Sequence, residues 1–351
     1  MMKMVELKYV LCLIVSTFFY TSFCAADQWT WSYGKQFSFL ESLKHVKNGR
    51  VLFGKNQVNP FSQLIFSFNA FRPASGNFSF YVKTRDAKRK TWGKWHKMID
   101  WGKGIQKSYF SKDTRTKYVY VRLETDLQNL ADAFCLKVEA HNGASLRLVK
   151  GLFVCVSDFN KFRNEFFGKR LSSLPSVYVA RVPKISQRVL KHPHANCLCS
   201  PTSCSMLAGY FNKKKCNACV LANKVFDFGL NVYGSWPCNI AALYNACHGN
   251  VCFCTKRMNS FEDIHKKLKS NIPVVVSVRG AIKGAPKGYK SGHLMVIVGW
   301  DAGERKVICH DPAFYSDKRT FVRYDVKSFL RAWERSHRLA YVAEIKGKFK
   351  K

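Results

Sequence analysis

The sequence predicts a two-part chain, an all-β sandwich followed by an α+β domain. From about residue 27 to 160, short runs rich in Phe, Tyr and Val recur between turn signals. From residue 184 on, helical spacings mix with continuous apolar runs. Between these regions, residues 164–183 have no clear period and carry Ser172, Ser173, Pro175 and Pro183. The expected divisions are therefore 27–163 for the sandwich, 164–183 for a linker and 184–351 for the α+β domain. A chain of 351 residues suits two domains of roughly 150 residues each.

In the first part, strands are expected over 63–68, 78–83, 118–123, 134–140 and 146–156. Val119, Val121 and Leu123 alternate with Tyr120, Arg122 and Glu124, the period of a strand with one buried face. Pro73-Ala74-Ser75-Gly76 marks a turn. Trp92, Trp95 and Trp101 cluster with Gly93 and Gly102. Packing of these indoles into the sandwich core is expected ahead of a sugar-stacking platform. In the second part, Ser200 caps a helix with Pro201 at its first position, and Met206, Leu207, Tyr210 and Phe211 continue it. Phe261 to Lys269 has the period of a second amphipathic helix, and 273–278 and 294–300 read as buried strands.

Hydrophobic residues at 47% in a chain this long exclude a disordered protein and a small disulfide scaffold. Lys and Arg number 58 against 22 Asp and Glu, a net charge of +36 that attracts polyanions. Basic clusters such as Lys88-Arg89-Lys90 and Lys213-Lys214-Lys215 are short and scattered. The pattern predicts a generally cationic surface, suited to an anionic glycan or cell-envelope polymer, without a dedicated nucleic-acid site.

Lys3 and Lys8, the apolar run from Tyr9 to Phe23 and then Cys24-Ala25-Ala26-Asp27 have the layout of a signal peptide cleaved near Ala26, over 1–26. The run is short for a membrane span and no later segment is long enough. An exported protein is expected, in the periplasm, at the cell surface or secreted, where disulfides persist. Of 14 cysteines, Cys12 and Cys24 lie in that leader. Cys216-x-x-Cys219 and Cys252-x-Cys254 lack the spacing of a zinc ribbon, so disulfides or buried thiols are expected. His192-x-His194 sits in a polar loop without an evident third ligand. Neither metal nor cofactor is expected.

Unpaired N–H groups and the dipole at a helix start favour thiolate over thiol, and Cys199 has the cleanest such placement. Cys204, further along the same helix, reads as packing. His293 precedes the buried run 294–300, and the chain turns at Asp301-Ala302-Gly303-Glu304 and returns through His310 to Asp311. A hairpin centred on residue 302 sets His293 opposite Asp311, where a carboxylate can fix the tautomer of an imidazole. A one-residue slip would bring His310 or Pro312 there instead. A thiolate-prone cysteine followed by a His/Asp pair supplies nucleophile, general base and base-orienter.

The order Cys, His, Asp is that of papain-like enzymes, and the surrounding residues narrow the likeness. Val182-Pro183-Lys184-Ile185-Ser186-Gln187, Cys199-Ser200-Pro201-Thr202-Ser203 with Met206, Tyr233-Gly234-Ser235-Trp236-Pro237-Cys238-Asn239, Gly292-His293-Leu294-Met295-Val296 and His310-Asp311-Pro312-Ala313 stand in family order. With Phe329 and Trp333 they resemble papain-like cysteine peptidases of the bacteriocin-processing (double-glycine leader) type, over residues 182–345. Thr91-Trp92-Gly93-Lys94-Trp95 with Trp101 is similar to the amino-terminal β-domain of secreted bacterial relatives. The resemblance implies a papain-like fold, a protein or peptide substrate and an acyl-enzyme. It implies Cys199 as nucleophile, His293 as general base and acid, and Asp311 as its orienter. Gln187 matches the glutamine of the oxyanion hole, twelve residues before Cys199. Leader-cleaving members are fused to transporters, and this sequence carries no membrane spans or nucleotide-binding motif, so peptide-bond hydrolysis is the expectation. Rival expectations are a peptidoglycan-peptide hydrolase or transpeptidase, and a non-enzymatic cationic adhesin or glycan-binding protein.

Overall fold

The structure, a computed structural model, describes residues 28–37, 46–47, 50–164, 171 and 173–344. The expected signal segment lies outside these residues. Twelve strands form two antiparallel six-stranded sheets in the first half: β1 (Thr30–Gln36), β2 (Val46–Lys47), β3 (Arg50–Lys55), β4 (Gln63–Ala70), β5 (Asn77–Asp86), β6 (His96–Gly102), β7 (Gln106–Ser108), β8 (Ser111–Lys112), β9 (Thr116–Val119), β10 (Arg122–Thr125), β11 (Ala131–His141) and β12 (Val149–Ser157). One sheet runs β1-β12-β4-β10-β9-β8 and the other β2-β3-β11-β5-β6-β7.

Period-two alternation explains how these sheets meet. On β4, Phe66 and Phe68 reach the second sheet, where Phe68 stacks on Phe80 at 4.2 Å and meets Trp101 edge-on at 5.2 Å. Every β4 residue is nonetheless buried, because the alternate residues Ile65, Ser67 and Asn69 face the second half of the chain. Of the three clustered tryptophans only Trp101 enters the core. Trp92 is 40% exposed, and the Lys83 ammonium lies over the rings of Trp92 and Trp95 at 4.9 and 4.8 Å.

The strand expected over 118–123 is instead the β9–β10 hairpin. Tyr120 and Val121 turn the chain at φ 46° and 57°, pairing Val119 with Arg122 and Tyr118 with Leu123. The two-residue turn puts Tyr118 and Leu123 on one buried face although their parity differs, and the buried turn residue Val121, in phase with Leu123, conceals the reversal.

The second half holds β13 (Val177–Tyr178), α1 (Cys199–Asn212), α2 (Ala218–Ala222), α3 (Trp236–Ala246), β14 (Cys252–Arg257), α4 (Phe261–Lys269), β15 (Val274–Gly280), β16 (Tyr289–Asp301), β17 (Lys306–His310), β18 (Phe321–Asp325), α5 (Val326–Glu334) and β19 (Leu339–Glu344). Its sheet runs β14-β19-β15-β16-β17-β18, with β13 added against β16. The segment expected as a linker thus contributes a strand: Val177 pairs with Trp300, and Val179 and Val182 are buried. Apolar residues every two or three positions draw it onto the sheet, and its serines and prolines do not prevent this. The twelve described cysteines are all free thiols.

β14 is an edge strand, and the first half satisfies its outer edge with side chains. The Asn69 amide donates to the Phe253 carbonyl (2.6 Å) and accepts from the Phe253 N–H (2.8 Å), which reproduces a peptide pairing. Ser67 Oγ accepts from Thr255 N at 2.9 Å, and Cys155 Sγ from Arg257 N at 3.3 Å. Three successive outward N–H groups of a buried edge are thereby paired. A second seam forms where Asp227 accepts from the Ser108 N–H and hydroxyl.

Candidate active site

α1 begins two residues earlier than the capping pattern implied. Leu198 is the cap, Cys199 the first helical residue and Pro201 the third, where its missing N–H is still one of the unpaired ones. The helix is buried from Ser200 to Gly209, and Ser203 Oγ donates to the Leu294 carbonyl at 3.1 Å. That bond ties the cysteine-bearing helix to β16, beside His293.

The β16–β17 register differs from the expected one. Asp301 pairs with Lys306 and Val296 with His310, with a bulge between Ile297 and Gly299. Continuing that register sets Met295 opposite Asp311, so His293 is its diagonal neighbour on the same face. A diagonal pair is within reach of an imidazole. His293 Nε2 lies 2.7 Å from Asp311 Oδ1. A second bulge re-aims the histidine: Val278 pairs with His293 and Gly280 with Tyr289, leaving Lys290, Ser291 and Gly292 against Arg279 alone. Gly292 has φ +91°, a conformation open to glycine and strained for other residues.

Asp311 is fully buried and all its acceptor sites are used. Oδ1 also accepts from Ala313 N (2.9 Å), and Oδ2 accepts from the hydroxyls of Tyr289 (2.5 Å) and Tyr324 (2.7 Å). Burial opposes its charge, but His293 and the two phenols outweigh burial and hold the carboxyl below its usual range. The Tyr289 ring stacks on His293 at 4.1 Å, which fixes the plane of the imidazole. Burial lowers the His293 pKa while Asp311 and the Cys199 thiol raise it, and the balance is a value of about 9. Burial raises the Cys199 thiol, yet a hydrogen bond and the charge of His293, with the N–H groups of Leu294 and Ser200, bring it below its ordinary value. With Nε2 committed to Asp311, Nδ1 is the ring nitrogen left for the sulfur. Burial instead pushes up the thiols of Cys204, Cys216, Cys238, Cys247, Cys254 and Cys309.

Cys199, His293, Tyr289 and Trp236 line one cleft of about 1460 Å³ between the two halves, with Gln63, Leu127, Phe159 and Phe162 from the first. Residues 179–341 match the Peptidase_C39 like family. This part of the chain is therefore similar to a family of cysteine peptidases. No curated protein significantly matches the chain.

Gln187 is placed differently from its expected role. It is buried in a short 3-10 turn, its Nε2 donates to the Ala195 carbonyl at 2.9 Å, and it is not among the residues lining the cleft. The twelve-residue spacing is taken up by a second turn, Ala195–Cys197, which sits between it and Cys199. His310 faces away, with Nδ1 3.0 Å from the Pro183 carbonyl. His192 and His194 pack edgewise and tilted against Tyr233. Sequence reasoning missed Tyr289 and Tyr324. Tyr289 was within reach, four residues before His293 on the same strand, whereas Tyr324 arrives only through β17–β18 pairing.

Proposed function

We propose that this protein is an exported thiol peptidase that hydrolyses peptide bonds through an acyl-enzyme. The observation that carries the reading is the buried chain of contacts from Asp311 through His293 to Cys199 at the start of α1. The Cys199 thiolate attacks the substrate carbonyl carbon, and the backbone N–H groups at the helix start face the developing oxyanion. As the C–N bond breaks, the His293 imidazolium gives its proton to the leaving amine. His293 then takes a proton from water, which attacks the thioester and releases the carboxylic acid and the free thiolate. Asp311 keeps the imidazole oriented and charged. In this reading Gln187 is a positioning residue that holds the Ala195 carbonyl. The N-terminal export signal and a β-sandwich domain over 27–163 remain part of the proposal.

The test uses the mature chain and an iodoacetamide label at pH 6, with mass spectrometry of the modified peptide. Cys199 should be labelled first, since its thiol is lowered while its buried neighbours are raised. Cys199→Ala should lower casein or muropeptide hydrolysis by ~10⁴-fold or more. Hydrolysis that persists undiminished in that variant sinks the assignment, and which of the two substrates is turned over separates a general peptidase from a cell-wall enzyme.

A further inference from the structure

The cleft carries far more positive charge than the proposed chemistry uses. Its lining holds six cations, Arg122, Arg257, Arg279, Lys287, Lys290 and Arg335, against a single carboxylate, Glu124. Glu124 is already shared by Arg122 (2.6 Å) and Lys117 (3.2 Å). The stretch of lining contributed by Phe226, Val232, Tyr233 and Trp236 is uncharged. The cations are therefore gathered on one part of the wall.

Arg257 is the most telling of them. It is 4% exposed, and its guanidinium bonds only neutral oxygens: Gln63 Oε1 (2.6 and 3.1 Å) and the carbonyls of Ser336 (2.9 Å) and His337 (2.8 Å). Among the described residues no carboxylate lies within ion-pair distance of it. A buried cation without a counter-charge is costly, and an anion in the cleft would offset that cost. His337, also in the cleft lining, has its pKa lowered to about 4, by burial first and then by the charges of Arg257, Arg122 and Arg279. On the rim, Gly280 at φ +88° lets the Arg335 guanidinium lie over the backbone, where a Cβ would collide with Nη1. Arg279 and Lys290 both lie at the β15–β16 bulge, between the Val278–His293 and Gly280–Tyr289 pairs.

We propose that the cleft selects peptides bearing Asp or Glu side chains on one side of the scissile bond, held by the wall around Arg257, Arg279 and Arg335. The inference rests on the peptidase reading and names its substrate class. A basic wall made jointly by β10, β14 and β15 gives the N-terminal half a part in choosing substrate. The negative side chains pair with Arg279 and Arg335 at the rim while Arg257 sets the field beneath them.

The test compares fluorogenic peptides of one core sequence flanked by two Glu, two Gln or two Lys. The full chain should cleave the Glu peptide with roughly three- to tenfold higher kcat/KM than the Gln peptide, mainly through KM, and the Lys peptide least. The ratio should fall toward one in 1 M salt, where screening is short-ranged. Arg279→Glu with Arg335→Glu should invert the order. Binding of the uncleaved peptides to Cys199→Ala, read by fluorescence anisotropy, should show the same order. Equal Kd values for the three peptides, or tighter binding of a heparin fragment than of the Glu peptide, would overturn the proposal. If Cys199 is never labelled and no peptide is cleaved, the peptidase reading fails, and the binding order alone then decides the charge selection.

Discussion

Asp311 carries the residue-scale argument, because a carboxylate with four donors has a defined response to losing one. Tyr324→Phe removes a donor to a buried charge, which typically costs about 1.5–3 kcal/mol. The Asp311 pKa is depressed in the folded state, so its stabilisation is present above the unfolded value and lost as pH falls through the folded one. Acid unfolding of Tyr324→Phe, followed by circular dichroism, should therefore have its midpoint at higher pH than the parent. His293 has the opposite sign. With its pKa raised to about 9, its contribution is complete below the unfolded value of about 6.5 and is lost as pH rises through 9. The kcat/KM profile should be a bell whose acid limb belongs to the lowered thiol and whose alkaline limb falls near pH 9, both limbs being properties of the pair. A profile that stays flat from pH 5 to 10 would contradict the thiolate–imidazolium pair. Gln187→Ala should reduce kcat less than the ~10²–10³-fold of a lost oxyanion donor, while lowering the melting temperature because the Ala195 carbonyl loses its partner. A full loss in that range at an unchanged melting temperature would restore the oxyanion role.

At the scale of elements, legibility followed locality. The Phe261–Lys269 helix was legible to the residue because its buried face, Phe261, Ile264 and Leu268, repeats at helical spacing within nine positions. The Cys199 helix and the 294–300 strand were legible for similar reasons, and so was the order of the three site residues. The β16–β17 register was not, because a bulge at Val298 and a four-residue turn shift the pairing by two. Even so, the shift preserved the face, and His293 still reaches Asp311. The β9–β10 reversal was hidden because the turn residue Val121 is itself apolar and buried, in phase with Leu123. The seam on β14 was illegible for a different reason: polar Ser67 and Asn69 alternate with Phe66 and Phe68 as they would on a strand facing water. Period two tells faces apart but does not say what covers them. Asn69→Leu should leave two buried backbone groups of Phe253 unpaired, at a cost of about 1–3 kcal/mol each. Thermal melts should show that loss as a drop of several degrees, and Asn69→Asp should recover only the part owed to the Phe253 N–H.

For the molecule as a whole, the two halves are joined by side chains that take the place of a backbone ladder. Chemical denaturation should accordingly show one transition by tryptophan fluorescence and far-UV dichroism together. A fragment beginning at residue 171 should be poorly soluble, because the β14 edge loses Asn69, Ser67 and Cys155. Two well-separated transitions, or a soluble and fully active fragment, would show that the seam contributes little.

That seam also sets an order of events during synthesis. The sheet that offers Asn69 and Ser67 emerges from the ribosome before β14, and β19, the strand that clamps β14 from its other side, follows His293 and Asp311 along the chain. Arg257 pairs with Leu339 across that last junction, so the basic wall is assembled only after every reacting group has been made. A nascent chain thus carries Cys199 well before the strand that completes the groove around it has been made.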